Sequence, residues 1–278
     1  MELVPLGKFE VTPYRISTMT VTGSINSTVV LQKLFDNIDI ECYDNIKYME
    51  YGANKNEHHF KGEETKKNKK QQKKRFDNQM TLHMYDDKYK YNIKLFKNGN
   101  VQMTGVKDIT KGKYIIDELI KILKITNKTC KDKEQIILEE EKIKNTNFNT
   151  RLINCDFRVS YKINRGLLHK LITHKYGLIC SYEPCIYQGV KLSFFMNDYS
   201  NNGICSCAKQ CLGKGVNTIC KKITVAVFQS GCVTITGSND ISQLKYVYKF
   251  MTDLLEKNME DIYQHTYRLI NSTESSTN

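Results

Sequence analysis

Apolar residues along this chain follow two alternating rhythms. Around Tyr14–Val21 and Thr150–Phe157 they recur at about every second position, the period of a half-buried strand. At Val30, Leu31, Leu34 and Phe35, and again at Leu167, Leu168, Leu171 and Ile172, the spacing is helical. Longer helical stripes follow at Ile116, Leu119, Ile120 and Leu123, and at Val247, Phe250, Met251 and Leu254. Ahead of each long stripe lies a similar segment, residues 93–105 (IKLFKNGNVQMTG) and 225–237 (VAVFQSGCVTITG), with Phe, Gly, Thr and Gly at the same offsets, 132 residues apart. Each reads as a hairpin whose Asn98-Gly99 or Ser230-Gly231 supplies the positive-φ turn position. The chain is therefore predicted to duplicate a β-α-β-β-β-α unit.

Helices with a single apolar stripe must bury it on a sheet, which predicts an α+β fold of two pseudo-symmetric repeats. The expected form is a curved antiparallel sheet covered by helices on one face and free on the other. The first repeat is expected over residues 1–125 with a basic insert at about 53–79, and the second over 149–270 with a Cys-rich insert at about 197–220. Residues 126–148 read as a charged linker, partly helical around Gln135–Lys142, and 271–278 as a disordered Ser/Thr/Asn-rich tail.

Charge and composition narrow the function. The 278 residues carry a net charge of +12, which suits a polyanionic partner. Residues 61–79 hold eight Lys/Arg against three acidic residues, so much of the excess is local. Lys66–Arg75 reads either as a solvated insert or as a phosphate contact or nuclear-import signal. No apolar run reaches membrane-spanning length and the N-terminal MELVPLGKFEVTPYR lacks a leader's apolar stretch, so an intracellular protein is expected.

Ten cysteines in such a compartment read as free thiols or metal ligands. Cys205, Cys207, Cys211 and Cys220 lie within sixteen positions of a Gly-bearing segment, a possible structural Zn²⁺ set, although the spacing is not the usual C-x2-C. Cys155, Cys180 and Cys232 read as packing residues. His58-His59 reads as exposed, and His169 and His174 have the wrong spacing for a shared helix face. Neither a phosphate-binding G-x-x-x-x-G-K-S/T loop nor H-E-x-x-H occurs, and no catalytic constellation emerges, so a non-enzymatic protein that needs no cofactor is expected.

The duplicated F-x-S/N-G-x-x-x-x-T-G pattern, together with residues 181–189 (SYEPCIYQG), resembles the TATA-box-binding protein family, whose own strand reads SYEPELFPG. The divergence and the inserts look most like the family's members in nucleocytoplasmic large DNA viruses. The resemblance implies a saddle that binds an AT-rich minor groove, wedges paired aromatics into base steps and bends the duplex. Phe96 and Phe228 match one member of each aromatic pair, and Tyr187 stands at the second repeat's other position. The first repeat's counterpart is Tyr48 or Tyr51. Thr104 and Thr236 match the hydrogen-bonding Thr of the groove floor, and Ile16 and Leu152 its apolar lining.

Other positions depart from the family. Tyr14 and Thr150 replace the central Asn pair, with Asn154 two residues past the Leu152 position, and Gln102 and Thr234 replace a floor Val. Lys94 lies beside them. Glu183 resembles the family's acidic contact to partner proteins, while its neighbouring Glu is Cys185 here. The implied role is an initiation factor, a monomer on DNA, recruiting other factors or RNA polymerase in a nucleus, viral factory or virion. The polar floor leaves open a protein-interaction scaffold without TATA-specific binding, and a glycosylase relative is disfavoured because its catalytic helical domain is missing.

Overall fold

The computed structural model describes residues 2–3, 5–52, 60–62, 78–130, 135–197, 202–207, 211, 213, 220–265 and 267–268. In chain order the elements are β1 (Glu2–Leu3), β2 (Arg15–Ser24), α1 (Leu31–Asn37), β3 (Ile46–Glu50), β4 (Phe60–Gly62), β5 (Gln79–Tyr85), β6 (Lys90–Phe96), β7 (Asn100–Val106) and α2 (Ile109–Thr129). They continue with β8 (Thr146–Arg158), α3 (Arg165–Lys170), β9 (Ile179–Ser181), β10 (Val190–Met196), β11 (Lys221–Val227), β12 (Cys232–Ser238), α4 (Ile241–Lys257), α5 (Met259–Ile262) and β13 (Tyr267–Arg268). They form two compact units, Thr18–Leu152, and Met1–Ser17 with Ile153–Asn278.

In the Thr18–Leu152 unit the antiparallel strand order is β4-β3-β5-β6-β7-β2. Alternation sends Met80, Leu82, Met84, Tyr91, Ile93, Leu95, Val101 and Met103 to one face, all almost completely buried. α2 covers that face with Ile115, Ile116, Leu119 and Leu123, all buried. Gly23 of β2 leaves room for it, since a Cβ there would meet Ile116 Cδ1 at 3.1 Å. Burial of each such side chain stabilises by about 1.5–3 kcal/mol.

The second unit orders its antiparallel strands β8-β12-β11-β10-β9. α4 packs on the face bearing Phe157 and Phe194: Tyr248 meets Phe157 edge-on at 4.9 Å between centroids, and Phe250 meets Phe194 at the same separation. Both units are thus sheets with helices on one face, an α+β fold.

The duplication is written into the backbone. Gly99 and Gly231 hold φ of 78° and 79°, and Gly105 and Gly237 hold 90° and 96°. A Cβ on Gly99 would meet Ser27 O at 2.1 Å, and one on Gly231 would meet Val159 O at 2.6 Å, so both turns close against the same point of the repeat. Beyond them Asp108 caps α2 by accepting from Lys111 N, and Asp240 caps α4 by accepting from Ser242 N.

Several expectations need correction. Each unit has more strands than β-α-β-β-β-α: β5 lies between β3 and β6, just past the expected basic insert, and β10 between β9 and β11, just ahead of the expected Cys-rich one. SYEP does not form a strand past Ser181, because the chain turns there, with Ile186 N and Tyr187 N both donating to Glu183 O. The described part of residues 126–148, expected as a charged linker, is packed. α2 extends to Thr129, Ile136 and Ile137 are buried, and Asn127 Oδ1 accepts from both of their N–H groups. The expected helix at Gln135–Lys142 is a single 3₁₀ turn, Glu140–Lys142.

The segment before Thr18 folds with the second repeat rather than the first, through a Val11–Val159 bridge and Tyr14 packed edge-on to Tyr248 at 5.3 Å. Most of the basic insert, including His58-His59 and Lys66–Arg75, and the tail 271–278 lie outside the described residues. Among the described residues no helix is long and apolar enough to cross a membrane.

Candidate functional site

The faces away from the helices carry most of the residues singled out in the sequence. In β6 and β7, Phe96, Lys94, Gln102 and Thr104 are half-buried while their neighbours Leu95, Val101 and Met103 are buried, so strand alternation places the four on the helix-free face. Register confirms the grouping: Lys94 pairs with Gln102, Gln102 with Thr22, and Thr104 with Thr20. Arg151, in the first part of β8, donates from Nε to Thr22 Oγ1 at 2.9 Å. Thr150 and Leu152 flank it and are half-buried.

Phe96 stands between two clefts. One, of about 330 Å³, is lined among others by Thr22, Asn100, Gln102, Asn149 and Arg151. The other, of about 320 Å³, is lined by Thr28, Asn78, Lys97 and Asn98. The ring therefore has open space on either side, unlike a core phenylalanine.

The sequence candidates for its partner behave differently. Tyr48 shares the helix-free face but is only 3% exposed, stacked on His83 at 4.7 Å and on Phe60 at 6.3 Å, with its hydroxyl donating to Glu50 Oε2. Burial and then the Lys90 charge hold His83 down to about 4, so it faces Tyr48 as a neutral ring. Tyr51 leans on core Phe35, 6.3 Å between centroids. Tyr48 is thus buried, while Tyr51 is half-buried. Phe76 stands three positions before β5 as Tyr187 stands three positions before β10; Phe76 itself lies outside the described residues.

In the second unit the aromatic pair is assembled. Tyr187 and Phe228 are half-buried, their centroids 5.8 Å apart and the rings tilted by 60°. Gly189 runs against both, for a Cβ there would come within 2.8 Å of Tyr187 Cε1 and 3.1 Å of Phe228 Cε1. The hairpin fixes Phe228 by its N–H to Cys232 O at 2.9 Å, and Arg165 holds the approach of Tyr187 by donating to Gln188 O at 2.6 Å.

On β12, Thr234 and Thr236 alternate with buried Val233 and Ile235. Thr234 lies opposite Asp156 of β8, which puts a carboxylate on the same face, and Arg15 neutralises it through Nη2 at 3.0 and 3.3 Å. Asn154 is half-buried, and its Oδ1 has no hydrogen-bond partner among the described residues. Ile16 is half-buried in β2. Glu183 is exposed, beside Ile186, which is 86% exposed.

Apart from these faces, the sulfurs of Cys205, Cys207, Cys211 and Cys220 lie within 4.8 Å of one another and could hold a metal ion. Burial opposes ionisation of Cys220, but hydrogen bonds with the Ser206 backbone and with the Cys207, Asn197 and Cys205 side chains outweigh it and bring the thiol down to about 7. Cys155 is buried, which pushes its thiol up to about 12, an inert packing position. Cys180 is likewise pushed up by burial, to about 11.

Over 204 residues the chain is 31% identical to the TATA-box-binding protein-like protein of Acanthamoeba polyphaga mimivirus, an alignment covering 69% of this chain. The chain is a relative of that viral protein. It spans about half of the relative's length, 51%. Among solved structures, TBP of Methanococcus jannaschii is 16% identical with a TM-score of 0.49, over 88% of this chain and 99% of that one. No known family profile matches the chain.

Proposed function

We propose that the protein binds double-stranded DNA through the helix-free sheet faces and bends it, as a transcription initiation factor on AT-rich promoters. The observation that carries this reading is the Tyr187–Phe228 pair over Gly189, with Phe96 at the matching offset of the other repeat and open space around its ring. Unstacking a base step costs a few kcal/mol, which an inserted apolar ring offsets by restoring contact with the separated bases. Phe76, from its position before β5, is the better candidate than Tyr48 or Tyr51 to accompany Phe96.

Thr104 and Thr236 offer hydroxyls to the acceptors of A·T pairs, and Lys94, Gln102, Thr150, Asn154 and Thr234 make the floor more polar around them. Ile16 and Leu152 supply its apolar contacts. Glu183 and the exposed Ile186 beside it form the proposed contact for other initiation factors or RNA polymerase, in a nucleus or viral factory. The name of the viral relative supports this direction. Zn²⁺ on the four clustered thiols completes the reading as a structural ion, and the role requires no catalysis.

A labelled AT-rich duplex tests it. Binding that shortens the end-to-end distance is expected, and Phe96→Ala with Phe228→Ala should abolish the shortening while leaving most non-specific affinity. Equal loss of both would overturn the wedge. A second reading, a protein-interaction scaffold, is favoured by Asp156 on the face itself; binding of protein partners without any bending at moderate salt would establish it instead.

A further inference from the structure

The connection from β10 to β11, residues 197–220, is polar and glycine-bearing, yet its described part around Gly203 lies along a sheet edge. β9 pairs only with Lys191, Leu192 and Ser193 of β10. Beyond that point the edge is taken by the connection itself: Phe195 N donates to Gly203 O at 2.9 Å, in an antiparallel bridge. Gly203 has φ of 85°, and a Cβ there would come within 2.7 Å of the Phe194 ring. At the other end Lys222 N donates to Gly213 O at 2.8 Å, with Gly213 at φ of 64°.

A segment with so few large apolar side chains gains little from burial to offset its ordering entropy. The four thiols sit where a clamp would act. Cys205 and Cys207 follow Gly203, Cys211 precedes Gly213, and Cys220 precedes β11. Cys220 Sγ lies 3.6 Å from Cys207 Sγ and 3.8 Å from Cys205 Sγ. Sulfurs bound tetrahedrally to Zn²⁺ at about 2.3 Å stand about 3.8 Å apart, whereas a disulfide needs about 2.05 Å. Outer donors are present too: Gly213 N to Cys211 Sγ at 3.2 Å and Asn197 Nδ2 to Cys220 Sγ at 3.5 Å.

We infer that one Zn²⁺ held by Cys205, Cys207, Cys211 and Cys220 is what holds residues 202–207 against the edge of β10, making the cover of that edge metal-dependent. The inference rests on reading the thiols as a zinc site. On binding, four Zn–S bonds form as four thiol protons leave to solvent, and the centre carries a net charge of −2. Without the ion, the connection is released and the uncovered edge becomes a template for strand addition from a second copy.

The test uses the 278-residue chain purified without added metal. Elemental analysis should find one zinc per chain. Chelation should raise protease cleavage within 197–220 by about tenfold or more and promote self-association, and added zinc chloride, but not magnesium chloride, should reverse both. Cys205→Ser, at a half-buried position, should lose zinc and reproduce the chelated cleavage pattern with an unchanged far-UV circular dichroism spectrum. Absence of stoichiometric zinc overturns the metal site itself. Bound zinc whose removal leaves cleavage unchanged overturns the edge cover alone.

Discussion

Lys191 holds its ammonium 4.0 Å from the centre of the Tyr187 ring. The cation lies on β10, two residues past Gly189, and so sits at the aromatic end of the β10–β11 hairpin. A charge resting on a ring face is held by about 0.5–1 kcal/mol at an exposed site, little enough to be exchanged for a phosphate.

Lys191→Ala should therefore act on salt dependence rather than on bending. The log–log slope of affinity against salt is expected to fall by about 0.9, the value for one lost phosphate contact, while duplex shortening persists. A slope equal to that of the parent protein would show that Lys191 never leaves Tyr187.

The Arg15–Asp156 pair gives a second, different signature. Arg15 is largely exposed, so breaking the pair should change stability by less than about 1 kcal/mol in thermal melts. Binding should respond more, because Arg15→Ala leaves an uncompensated carboxylate on the face proposed to meet DNA. The double variant Arg15→Ala with Asp156→Ala should recover part of the lost affinity in titrations. If the double variant binds no better than the single one, Asp156 does not face the duplex.

Acid sensitivity should trace to His83. The folded state holds this ring neutral down to about 4, below the ordinary 6.5, so the unfolded chain takes up the proton first as pH falls. Stability is full well above pH 6.5 and drains between 6.5 and 4, by about 3 kcal/mol in total. His83→Phe keeps a ring against Tyr48 and should flatten that slope in denaturant titrations at pH 7, 5.5 and 4. Equal slopes for both proteins would place the acid sensitivity elsewhere.

What the sequence revealed and what it hid follow from the range of the interactions. The hairpins were legible because Gly99 and Gly231 need a conformation that few residues other than glycine adopt, and the helices because their stripes are long. Strand β5 alternates cleanly at Met80, Leu82 and Met84, but it is only seven residues long and directly follows a run of charge, so its period stands out little. Ile136 and Ile137 were lost in a charged stretch for the same reason. The burial of Tyr48 depends on His83 and Phe60, distant in sequence, and no local pattern announces it. Nor does any local signal tie Val11 to Val159, a contact that depends on chain topology.

That last pairing bears on how the gene can be divided. Cutting at the repeat boundary suggested by the duplication would strip the second half of its first seventeen residues, including the carbonyl of Thr12 that receives the Tyr248 hydroxyl. A separately expressed second half would need that leading peptide fused back or supplied in trans.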